Sequence, residues 1–566
     1  KDVSFHYRHP GRTGGLPHSG KGFYRKKFIL CEEIKEHLRI EFDGVMSNSK
    51  IYCNGQYAGG RPYGYSSFAV DLSEHVHPGE NILAVEAENL PQASRWYPGG
   101  GIYRHVRLIA ADRIHIAHWG IRIHTEGDHV FIKIRLVNPE QEKTTLETIV
   151  TAPDRKTVFH DITEGTVEFC RNFSLKEPQY WHPDKTNLYT LTVKCGKEKR
   201  EIRFGVRDLE FDSGRGFSIN GTPMKFQGVC LHHDLGPLGA AVNRDATLRR
   251  LRQLKKIGCN AIRTVHNPPD PELLDLCDEL GFFVICEAFD EWKRKKCPNG
   301  YNRYFDDLAE RDLRDMIRRD ANHPCVIMWS IGNEIDEQYY PEGPEMTRRL
   351  CGICHDEDST RPTTAGLNNV DDSICGGLFD DVDIKGFNYK PYIYSIYHHK
   401  FPSAPLYSSE SASTISSRGE YSDRIFEELG KKANLQIDSF DLCCSSGATT
   451  PDHEFKGQDD NPFVMGEFVW TGFDYLGEPT PYREEWPARS SYYGIFDLCG
   501  IPKDRMYLYL CRWTTQKVLH LMPHWTWPEH EGKMLPVQCY SSFDRVELFV
   551  NGVSQGVRTK NPKKLF

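Results

Sequence analysis

In the first part of the 566-residue chain, hydrophobic and polar residues alternate in short segments that turn residues separate. Leu38 to Phe42, Ser49 to Cys53 and Asn81 to Ala87 show this pattern, with Gly, Pro and Asn between the segments. Short segments with period-two alternation are typical of the strands of sandwiches and barrels. We therefore predict a jelly-roll β-sandwich over residues 1–112.

A second block of the chain continues the same alternation. It includes Val130 to Val137 and Leu188 to Val193, and it closes with Glu201 to Val206. Because the segments keep the length and spacing of half-buried strands, we predict a smaller, immunoglobulin-like β-sandwich over residues 113–207.

From residue 208 onward, continuous apolar segments alternate with helices that carry start and stop residues. Asp270 caps and Pro271 begins one predicted helix, which Gly281 ends, and Gly258 ends another. Strands that alternate with helices indicate βα units around a parallel sheet. Seven or eight such units predict a (β/α)₈ TIM barrel over residues 208–523. The predicted strands are Met224 to Gly228, Ala261 to Val265, Phe282 to Cys286, Val326 to Ile331, Ile384 to Phe387, Leu406 to Ser409 and Val464 to Val469, with a weaker one near Thr363.

The alternating β pattern returns after residue 523. Val546 to Val550, followed by Asn551-Gly552, is typical of a strand that enters a tight turn. We predict the beginning of a further C-terminal β-sandwich over residues 524–566. The chain ends at Phe566 before such a sandwich is complete, so we expect the natural protein to continue.

Composition and charge narrow the class of partner. With 39% hydrophobic and 27% charged residues the chain is globular, and its net charge of −8 contains no long block of one sign. This pattern argues against a nucleic-acid partner and against an anionic membrane surface. No stretch approaches the roughly 18 apolar residues of a membrane helix. We expect no membrane insertion and a neutral or small substrate.

The N-terminus and the cysteines bear on the compartment. The chain begins at Lys1 without a Met and without a signal-peptide core, which fits either a removed leader or a trimmed chain. We favour a periplasmic or secreted location over a cytoplasmic one. The 18 cysteines have no regular disulfide framework, so we expect mostly buried thiols, including the adjacent Cys443 and Cys444 unless either pairs elsewhere.

Two glutamates come after apolar strands in the predicted barrel. Glu334 stands directly after Val326 to Asn333, and Glu410 directly after Pro405 to Ser409. Catalytic groups of TIM barrels stand where strands end. Glycoside hydrolysis needs a proton donor and a second carboxylate, about 5 to 5.5 Å apart in retaining enzymes. From position alone, a salt-bridge role for each glutamate remains open.

The chain resembles glycoside hydrolase family 2, which contains β-galactosidases, β-glucuronidases and β-mannosidases, over essentially its whole length. The similar segments occur in the family's order. They are Arg95-Trp-Tyr-Pro-Gly-Gly-Gly-Ile-Tyr-Arg104, Gly228-Val-Cys-Leu-His232, Ala261-Ile-Arg-Thr-Val-His266, Ser330-Ile-Gly-Asn-Glu334, Ser408-Ser-Glu410 and Gly466-Glu-Phe-Val-Trp470.

The resemblance implies a role for each of these residues. Glu334 is then the general acid/base and Glu410 the nucleophile. Asn333 is expected to bind the sugar 2-hydroxyl, and Arg263 to keep the Glu410 carboxylate ionised.

Further positions are expected to bind substrate. The resemblance places His232 and His266 in the sugar subsite, Tyr389 near the nucleophile, and Trp470 under the apolar face of the sugar. Trp486, in a loop that also contains Arg489, is expected at the pocket mouth, although surface packing explains it equally well.

The chain departs from the family pattern at two places that bear on metal and sugar. Some galactosidases of the family bind magnesium through a carboxylate and a histidine. In the corresponding segment, Glu287 to Lys293, a lysine stands at the histidine position. We therefore expect no catalytic metal and no cofactor. Many members place a sugar-binding aspartate where this chain has Arg95, which leaves room for an acidic or modified sugar.

The segment after the last barrel strand bears on the choice of sugar. Glucuronidases of the family carry Asn-x-Lys-Gly there, whereas this chain has Tyr493 to Gly500 with Asp497, a residue of the wrong sign for a sugar carboxylate. Asp474 and the segment Gly477 to Pro479 resemble bacterial β-galactosidases, and we expect Asp474 and Arg95 to bind substrate. We predict hydrolysis of terminal β-D-galactosyl residues from an oligosaccharide or glycoconjugate.

Two alternatives remain open. One keeps the mechanism and changes the sugar, to a β-glucuronide or a sugar of a polysaccharide-derived oligosaccharide. The other is a non-catalytic carbohydrate-binding protein, against which the complete set of catalytic residue types argues. The resemblance also leaves a homo-oligomer open.

Overall fold

The computed structural model describes residues 12–13, 20–31, 37–369, 377–378, 380–422, 432 and 434–561. Within these ranges the chain forms the predicted multidomain architecture of two sandwiches, a TIM barrel and further C-terminal strands. The exact bounds of the domains stay predictions.

The first sandwich packs the antiparallel sheet β1-β7-β4-β5 against the sheet β6-β2-β9. Alternate residues of these strands, such as Ile40, Ile51 and Val85, point inward and form one buried cluster. The strands are β1 (Gly20–Leu30), β2 (His37–Phe42), β3 (Val45–Met46), β4 (Ser49–Cys53), β5 (Gln56–Arg61), β6 (Phe68–Asp71), β7 (Gly79–Asn89), β8 (Gly101–Ile102) and β9 (Val106–Ala111).

The second sandwich has the sheets β10-β11-β14 and β13-β12-β17-β18 around a core of its own. In β11 every second residue is buried, as the alternation of Val130 to Val137 predicts. The strands are β10 (His115–Glu126), β11 (His129–Val137), β12 (Thr144–Thr151), β13 (Thr157–Gly165), β14 (Glu168–Ser174), β15 (Trp181–His182), β16 (Lys185–Thr186), β17 (Tyr189–Cys195) and β18 (Glu198–Phe204).

A closed barrel of parallel strands, β22 to β29, forms the centre of the molecule. Its strands are almost wholly buried because helices cover their outer face and the side chains of the barrel interior cover the inner one. The strands are β22 (Phe226–Leu231), β23 (Ala261–Thr264), β24 (Phe283–Glu287), β25 (Val326–Asn333), β26 (Thr363–Leu367), β27 (Ile384–Asn388), β28 (Leu406–Ser411) and β29 (Gly466–Val469). The α-helices are α1 (Arg244–Lys256), α2 (Pro271–Leu280), α3 (Phe305–Asp320), α4 (Gly343–Glu357), α5 (Tyr394–Lys400), α6 (Pro451–Asp460) and α7 (Arg505–Trp513).

Helix α2 starts and stops where the sequence predicts. Pro271 begins it, and Gly281 ends it with a left-handed φ of +75°. Asp270 stands at the N-cap position, but its side chain makes no capping hydrogen bond. A Cβ on Gly281 would come within 2.0 Å of the Pro183 carbonyl oxygen, so only glycine permits this close contact with the second sandwich.

A small antiparallel sheet closes the amino-terminal end of the barrel. It consists of β19 (Leu209–Asp212), β20 (Gly216–Ile219) and β21 (Thr222–Met224). Phe217 of this sheet packs on Phe226 at 4.7 Å and on Phe283 at 5.1 Å between ring centroids, where β22 and β24 begin. A site in this barrel therefore belongs at the opposite, carboxyl end.

The last described strands form two separate antiparallel pairs, β30 (Leu519–Met522) with β31 (Gln538–Ser541) and β32 (Arg545–Val550) with β33 (Val553–Thr559). Asn551 and Gly552 both have positive φ, as a two-residue hairpin turn requires. Most of the described cysteines are buried, including Cys443. Among the described residues, none of the helices has the length and apolar character that crossing a membrane requires.

Candidate active site

Glu334 lies in the turn directly after β25. Its φ is +42°, a left-handed conformation that is costly for a residue with a side chain. The Glu334 N–H donates to the carbonyl oxygen of Gly366 at 2.7 Å, and its Oε1 accepts from the Asn388 amide at 3.0 Å. The backbone of neighbouring strands thus holds this carboxyl at the carboxyl end of the barrel.

Glu410 is the penultimate residue of β28. Its Oε1 accepts from Arg263 Nη1 at 2.9 Å, and its Oε2 accepts from the Tyr389 hydroxyl at 2.6 Å. Asn388, the residue that binds Glu334, is the register partner of Glu410 across β27 and β28. The structure therefore brings the two glutamates together around Asn388.

Arg263 connects several groups at the floor of this site and has no exposed surface. Besides Glu410, its guanidinium donates to Glu287 Oε2 at 2.6 and 3.0 Å and to Asn333 Oδ1 at 2.9 Å. A Cβ on Gly366 would stand 2.6 Å from Arg263 Nη2, so glycine at that point of β26 makes room for the guanidinium. All three guanidinium nitrogens of Arg263 thus have protein partners.

Burial and charge act in opposite directions on the two carboxyls that Arg263 binds. Burial raises the pKa of Glu410, and the nearby charge of Glu334 adds to this, while Arg263 and Tyr389 oppose it. Burial would also raise the pKa of Glu287, but Arg263 and His266 outweigh it and lower the pKa. Arg263 favours the Glu410 carboxylate, as expected, yet it does not fully offset the burial of that group.

Two histidines and two tryptophans surround the carboxylates. The His266 Nδ1 lies 2.6 Å from Glu287 Oε1 and its Nε2 lies 3.3 Å from the Asn333 amide nitrogen. Trp470 stacks on His266, with ring centroids 5.3 Å apart and an interplanar angle of 10°. Trp96, which the first sandwich contributes, packs on His232 at 4.9 Å.

His232 is buried, and neither of its ring nitrogens has a hydrogen-bond partner among the described residues. Burial lowers the pKa of His232 well below its ordinary value, and the nearby His266 and His233 lower it further. The ring is therefore neutral, with one donor and one acceptor available.

Arg95 reaches the barrel from the first sandwich. Its Nε and Nη2 bind both oxygens of Asp290 at 2.9 and 2.5 Å, and Lys296 Nζ binds the same carboxylate at 3.0 Å. Burial would lower the pKa of Arg95, but the charges of Asp290, Glu478 and Glu334 raise it. The side chain thus lies within electrostatic reach of the predicted acid/base.

The remaining predicted substrate-binding residues make other contacts. Asp474 is buried and binds Lys503 Nζ at 2.7 Å and the Gly494 N–H at 2.7 Å, which gives its carboxylate a structural role. Trp486 is half-buried beneath the guanidinium of Arg489, 3.7 Å from its ring centroid. None of these contacts is with Glu334 or Glu410, and the places of Asp474 and Trp486 in the pocket stay predictions.

Several residues of the site were not singled out from the sequence for this role. Glu287 ends the apolar strand β24, so the strand-end argument used for Glu334 would have found it. Asn388 stands at the end of β27 in the same way. Asp290 and Lys296 lie in a loop, and nothing in their sequence pattern marks them.

The candidate metal ligands of the sequence bind other side chains. Both oxygens of Glu287 accept hydrogen bonds from Arg263, His266 and Ser330, and exposed Lys293 pairs with Asp306 at 2.8 Å. Within the described ranges, side chains at metal-ligand distances from one another occur at Asp278, His323 and Cys325. These three lie outside the carboxylate pocket, and His323 binds Asp278 at 2.6 Å.

The arrangement has the parts that a double displacement at an acetal carbon needs. Glu410 is bound by a cation and a phenol, and Glu334 stands near it with a neutral amide as partner. The imidazoles of His232 and His266 and an aromatic wall complete a pocket for a polyhydroxylated ring.

Comparisons with known proteins agree with this geometry. The sugar binding domain of the glycosyl hydrolases family 2 matches residues 15–111, a second model described as Glycosyl hydrolases family 2 matches residues 114–207, and the family's TIM barrel domain matches residues 212–434. A Domain of unknown function (DUF4982) matches residues 532–565.

Curated relatives and solved structures cover nearly all of the chain. Beta-galactosidase BoGH2A of Bacteroides ovatus is 41% identical over 98% of this chain and 72% of its own length. A putative beta-glucuronidase of Formosa agariphila is 30% identical over 96% of this chain and 55% of its own length. A crystal structure of a beta-glycosidase from Bacteroides vulgatus is 33% identical, with a TM-score of 0.87 over 100% of this chain and 76% of that one. The chain is a glycoside hydrolase and belongs to glycoside hydrolase family 2.

Proposed function

We propose that the protein is a retaining exo-glycosidase that hydrolyses terminal β-D-galactosyl residues. The observation that carries this proposal is the pairing of Glu410, bound by Arg263 and Tyr389, with Glu334, bound by the neutral amide of Asn388. The two carboxyls have different partners, as the two roles of a double displacement require.

In the first step the Glu410 carboxylate attacks C1 of the sugar and forms an ester bond to it. The bond from C1 to the glycosidic oxygen breaks, and Glu334 gives its proton to that oxygen, so the aglycone leaves as an alcohol. The second N–H of the Asn333 amide is available to donate to the sugar 2-hydroxyl, an interaction that strengthens in the transition state.

In the second step Glu334, now a carboxylate, takes a proton from water while the water oxygen attacks C1. The ester bond to Glu410 breaks, and its carboxylate regains Arg263 and Tyr389 as partners. Two inversions at C1 give a product of retained configuration. His232, neutral and without a partner among the described residues, supplies a donor and an acceptor for sugar hydroxyls.

A neutral glycone fits the charges of the site. Arg263 is bound by Glu287 and Glu410, and Arg95 and Lys296 share Asp290. Arg95 and Lys296 share the single charge of Asp290, but both side chains are already bound to it by hydrogen bonds, which disfavours their turning to a sugar carboxylate. The identity to a Bacteroides β-galactosidase supports the same choice, and the partner is then a β-galactoside oligosaccharide or glycoconjugate.

The roles of the glutamates are tested with Glu410→Gln, Glu334→Gln and an exposed control, Glu164→Gln. On an aryl β-galactoside we expect Glu410→Gln to lose roughly 10³-fold or more in kcat, and the control to match the unaltered enzyme. Proton NMR of the fresh product should show the β-anomer first. Near-normal turnover by Glu410→Gln, or an α-anomer, would refute the mechanism.

The glycone is tested separately with a panel of 4-nitrophenyl β-glycosides. We expect the highest kcat/KM on the galactoside. A higher value on the glucuronide would favour the alternative that relatives named beta-glucuronidase suggest, and would leave the mechanism intact. Binding of galactosides with no hydrolysis of any glycoside would instead indicate a carbohydrate-binding protein.

A further inference from the structure

A chain of ionic contacts runs from the first sandwich to the backbone beside Glu334. Arg95 binds Asp290 through two hydrogen bonds, and Lys296 binds the same carboxylate. The Lys296 ammonium then donates to the main-chain carbonyl oxygen of Asn333 at 2.6 Å. Asn333 precedes Glu334, so the contacts end at the peptide that links these two residues.

That peptide is held at both of its polar atoms. Its carbonyl oxygen, on Asn333, accepts from Lys296, and its N–H, on Glu334, donates to Gly366 at 2.7 Å. Two hydrogen bonds on opposite edges fix the orientation of a peptide plane. Together with the φ of +42° at Glu334, the plane sets the direction of its Cα–Cβ bond, and Asn388 then holds the carboxyl.

The loop that carries Lys296 is itself ordered by a buried carboxylate. Glu291 accepts from the backbone N–H groups of Lys296, Cys297 and Asn302 at 2.5, 3.2 and 3.2 Å. A Cβ on Gly300 would come within 1.7 Å of Glu291 Oε1, so the loop closes tightly around this carboxylate. Lys296 thus extends from a preformed loop.

Asp290 remains a charged anchor for both cations. Burial would raise the pKa of Asp290, but Arg95 and Lys296 outweigh it and hold the pKa well below its ordinary value. Both cations are largely buried, at 15% and 13% side-chain exposure, so the surrounding water screens their attraction to Asp290 only weakly. The three side chains form one unit between the sandwich and the barrel.

We propose that Lys296 is a positioning residue for the general acid, and that Arg95 of the first sandwich acts on Glu334 through Asp290 and Lys296. This inference rests on the proposed function, because it requires Glu334 to be the proton donor. The first sandwich thereby takes part in the chemical step, because it helps to orient the general acid. Glu410 is held independently of it by Arg263 and Tyr389.

A displaced acid has a specific kinetic consequence. A good leaving group, such as 2,4-dinitrophenolate, departs without a proton, so its release does not depend on where Glu334 stands. A poor leaving group, such as the alkoxide of a methyl glycoside, needs that proton, and general acid catalysis contributes about 10²- to 10⁴-fold. Loss of the Lys296 contact should therefore slow only substrates of the second kind.

The test compares Lys296→Met and Arg95→Met with Lys293→Met, a nearby lysine that is exposed and pairs with Asp306. We expect Lys296→Met to lose about tenfold or more in kcat/KM on the methyl glycoside and less than about twofold on the dinitrophenyl glycoside. Arg95→Met should also lower kcat/KM more on the methyl glycoside than on the dinitrophenyl glycoside, but by a smaller factor. Lys293→Met should leave both rates unchanged.

An equal loss on both substrates by Lys296→Met would overturn the proposal, because it would show a general structural effect. Unchanged kcat/KM on both substrates would also overturn it, because the contact of Lys296 would then have no effect on the acid. If Lys296→Met does not fold, Asp290→Asn keeps the shape of the anchor, removes its charge and is held to the same criterion.

The outcomes separate this inference from the proposed function. If the unaltered enzyme prefers another sugar, the methyl and dinitrophenyl glycosides of that sugar are used. The losses in kcat/KM on these two substrates then test the role of Lys296 in the same way. If Glu334→Gln does not itself slow the methyl glycoside selectively, the assignment of Glu334 fails first.

Discussion

The two glutamates of the site differ in the charge of their partners. Glu410 accepts from a guanidinium and a phenol, whereas Glu334 accepts from a neutral amide. A cation stabilises the ionised form of a carboxyl, and an amide does so far less. The proposed difference between nucleophile and acid therefore rests on their neighbours, Arg263 and Tyr389 for Glu410 and Asn388 for Glu334.

Removing the Tyr389 hydroxyl tests how the nucleophile is supported. Tyr389→Phe loses the 2.6 Å bond to Glu410 Oε2. A hydrogen bond to a charged group contributes about 1.5 to 3 kcal/mol, so we expect kcat/KM to fall roughly 10- to 100-fold. Stopped assays on an aryl glycoside measure this fall. Tyr57→Phe, at an exposed position of β5, is the control, and comparable losses in both variants would contradict the prediction.

The same variant should change the pH dependence. Burial already raises the pKa of Glu410, and the Tyr389 bond opposes that rise. As pH falls through this pKa the nucleophile takes up a proton and activity is lost. Without the hydroxyl the pKa rises further, so the acidic limb of the kcat/KM profile should move to higher pH. A limb that stays in place would show that Glu410 does not set it.

Single residues were predictable from the sequence where they end strands, and not where they act through distant contacts. Glu334 and Glu410 come after apolar runs, and so does Glu287. The same rule would therefore have found Glu287, which binds Arg263 in the structure. The partnership of Arg95 with Asp290 joins residues 195 positions apart and leaves no local pattern. Asp474 is expected to bind sugar because a resembling segment carries it, and no local pattern indicates that its carboxylate pairs with Lys503.

Helix α6 and strand β29 each bury one carboxyl where they meet. Glu454 of α6 and Glu467 of β29 are buried, and Gln458 and Tyr394 bond to Glu454. Burial raises the pKa of Glu454 to about 8 and that of Glu467 to about 7, and the charge of Glu467 adds to the rise at Glu454. The contact between α6 and β29 is therefore more stable when these two carboxyls are protonated.

The free energy of unfolding should fall as pH rises through the neutral range. An unfolded chain releases these protons at the ordinary glutamate pKa, near 4.5, whereas the folded chain keeps them up to a pKa of about 7 for Glu467 and about 8 for Glu454. The folded state binds more protons between those values, so its stability decreases with pH in that window. Thermal unfolding at about pH 5, 6, 7 and 8 measures the decrease.

An isosteric variant isolates this effect. Glu454→Gln has no proton to lose, so we expect a smaller fall of Tm between about pH 5 and pH 8 than in the unaltered protein. The exposed Glu164→Gln should retain the full fall. If both variants match the unaltered curve, the two buried carboxyls do not govern the pH dependence.

The barrel strands were predictable because burial on both faces makes them continuous apolar runs. The bounds of β25 and β27 extend one or two residues beyond the predictions, since the polar Asn333 and Asn388 continue the ladder. The first barrel strand begins two residues later than predicted, at Phe226, because Met224 pairs with Phe217 in the closing sheet. The local pattern of hydrophobic residues does not show that Met224 pairs with another strand of the closing sheet.

The domains are joined across a buried interface, where Arg104 connects the first sandwich to the barrel. Its guanidinium donates to the carbonyl oxygens of Tyr65, Pro268 and Pro269 at 2.9, 2.9 and 3.1 Å. The first of these carbonyls belongs to the sandwich and the other two to the loop after β23. The same docking brings Arg95 and Trp96 to the pocket.

Arg104→Met should weaken this docking. Buried carbonyls left without donors cost about 1 to 3 kcal/mol each, so we expect the free energy of unfolding to fall by roughly 2 to 4 kcal/mol. Chemical denaturation measures the change, and limited proteolysis should cut the sandwich first. Arg107→Met removes a half-exposed guanidinium that binds Asp43 and should cost less than about 1 kcal/mol. If both variants lose the same free energy of unfolding, the loss does not come from the interface between the first sandwich and the barrel.

The sharing of Arg263 also determines the charge of the covalent intermediate. Before reaction Arg263, Glu287 and Glu410 together carry one positive and two negative charges, and the excess matches the positive charge that develops at C1. Once Glu410 becomes an ester, its charge is gone and Arg263 stays neutralised by Glu287. In the proposed intermediate Arg263 therefore keeps a counter-ion, and the carboxylate without a cationic partner is Glu334, the base that the second step needs.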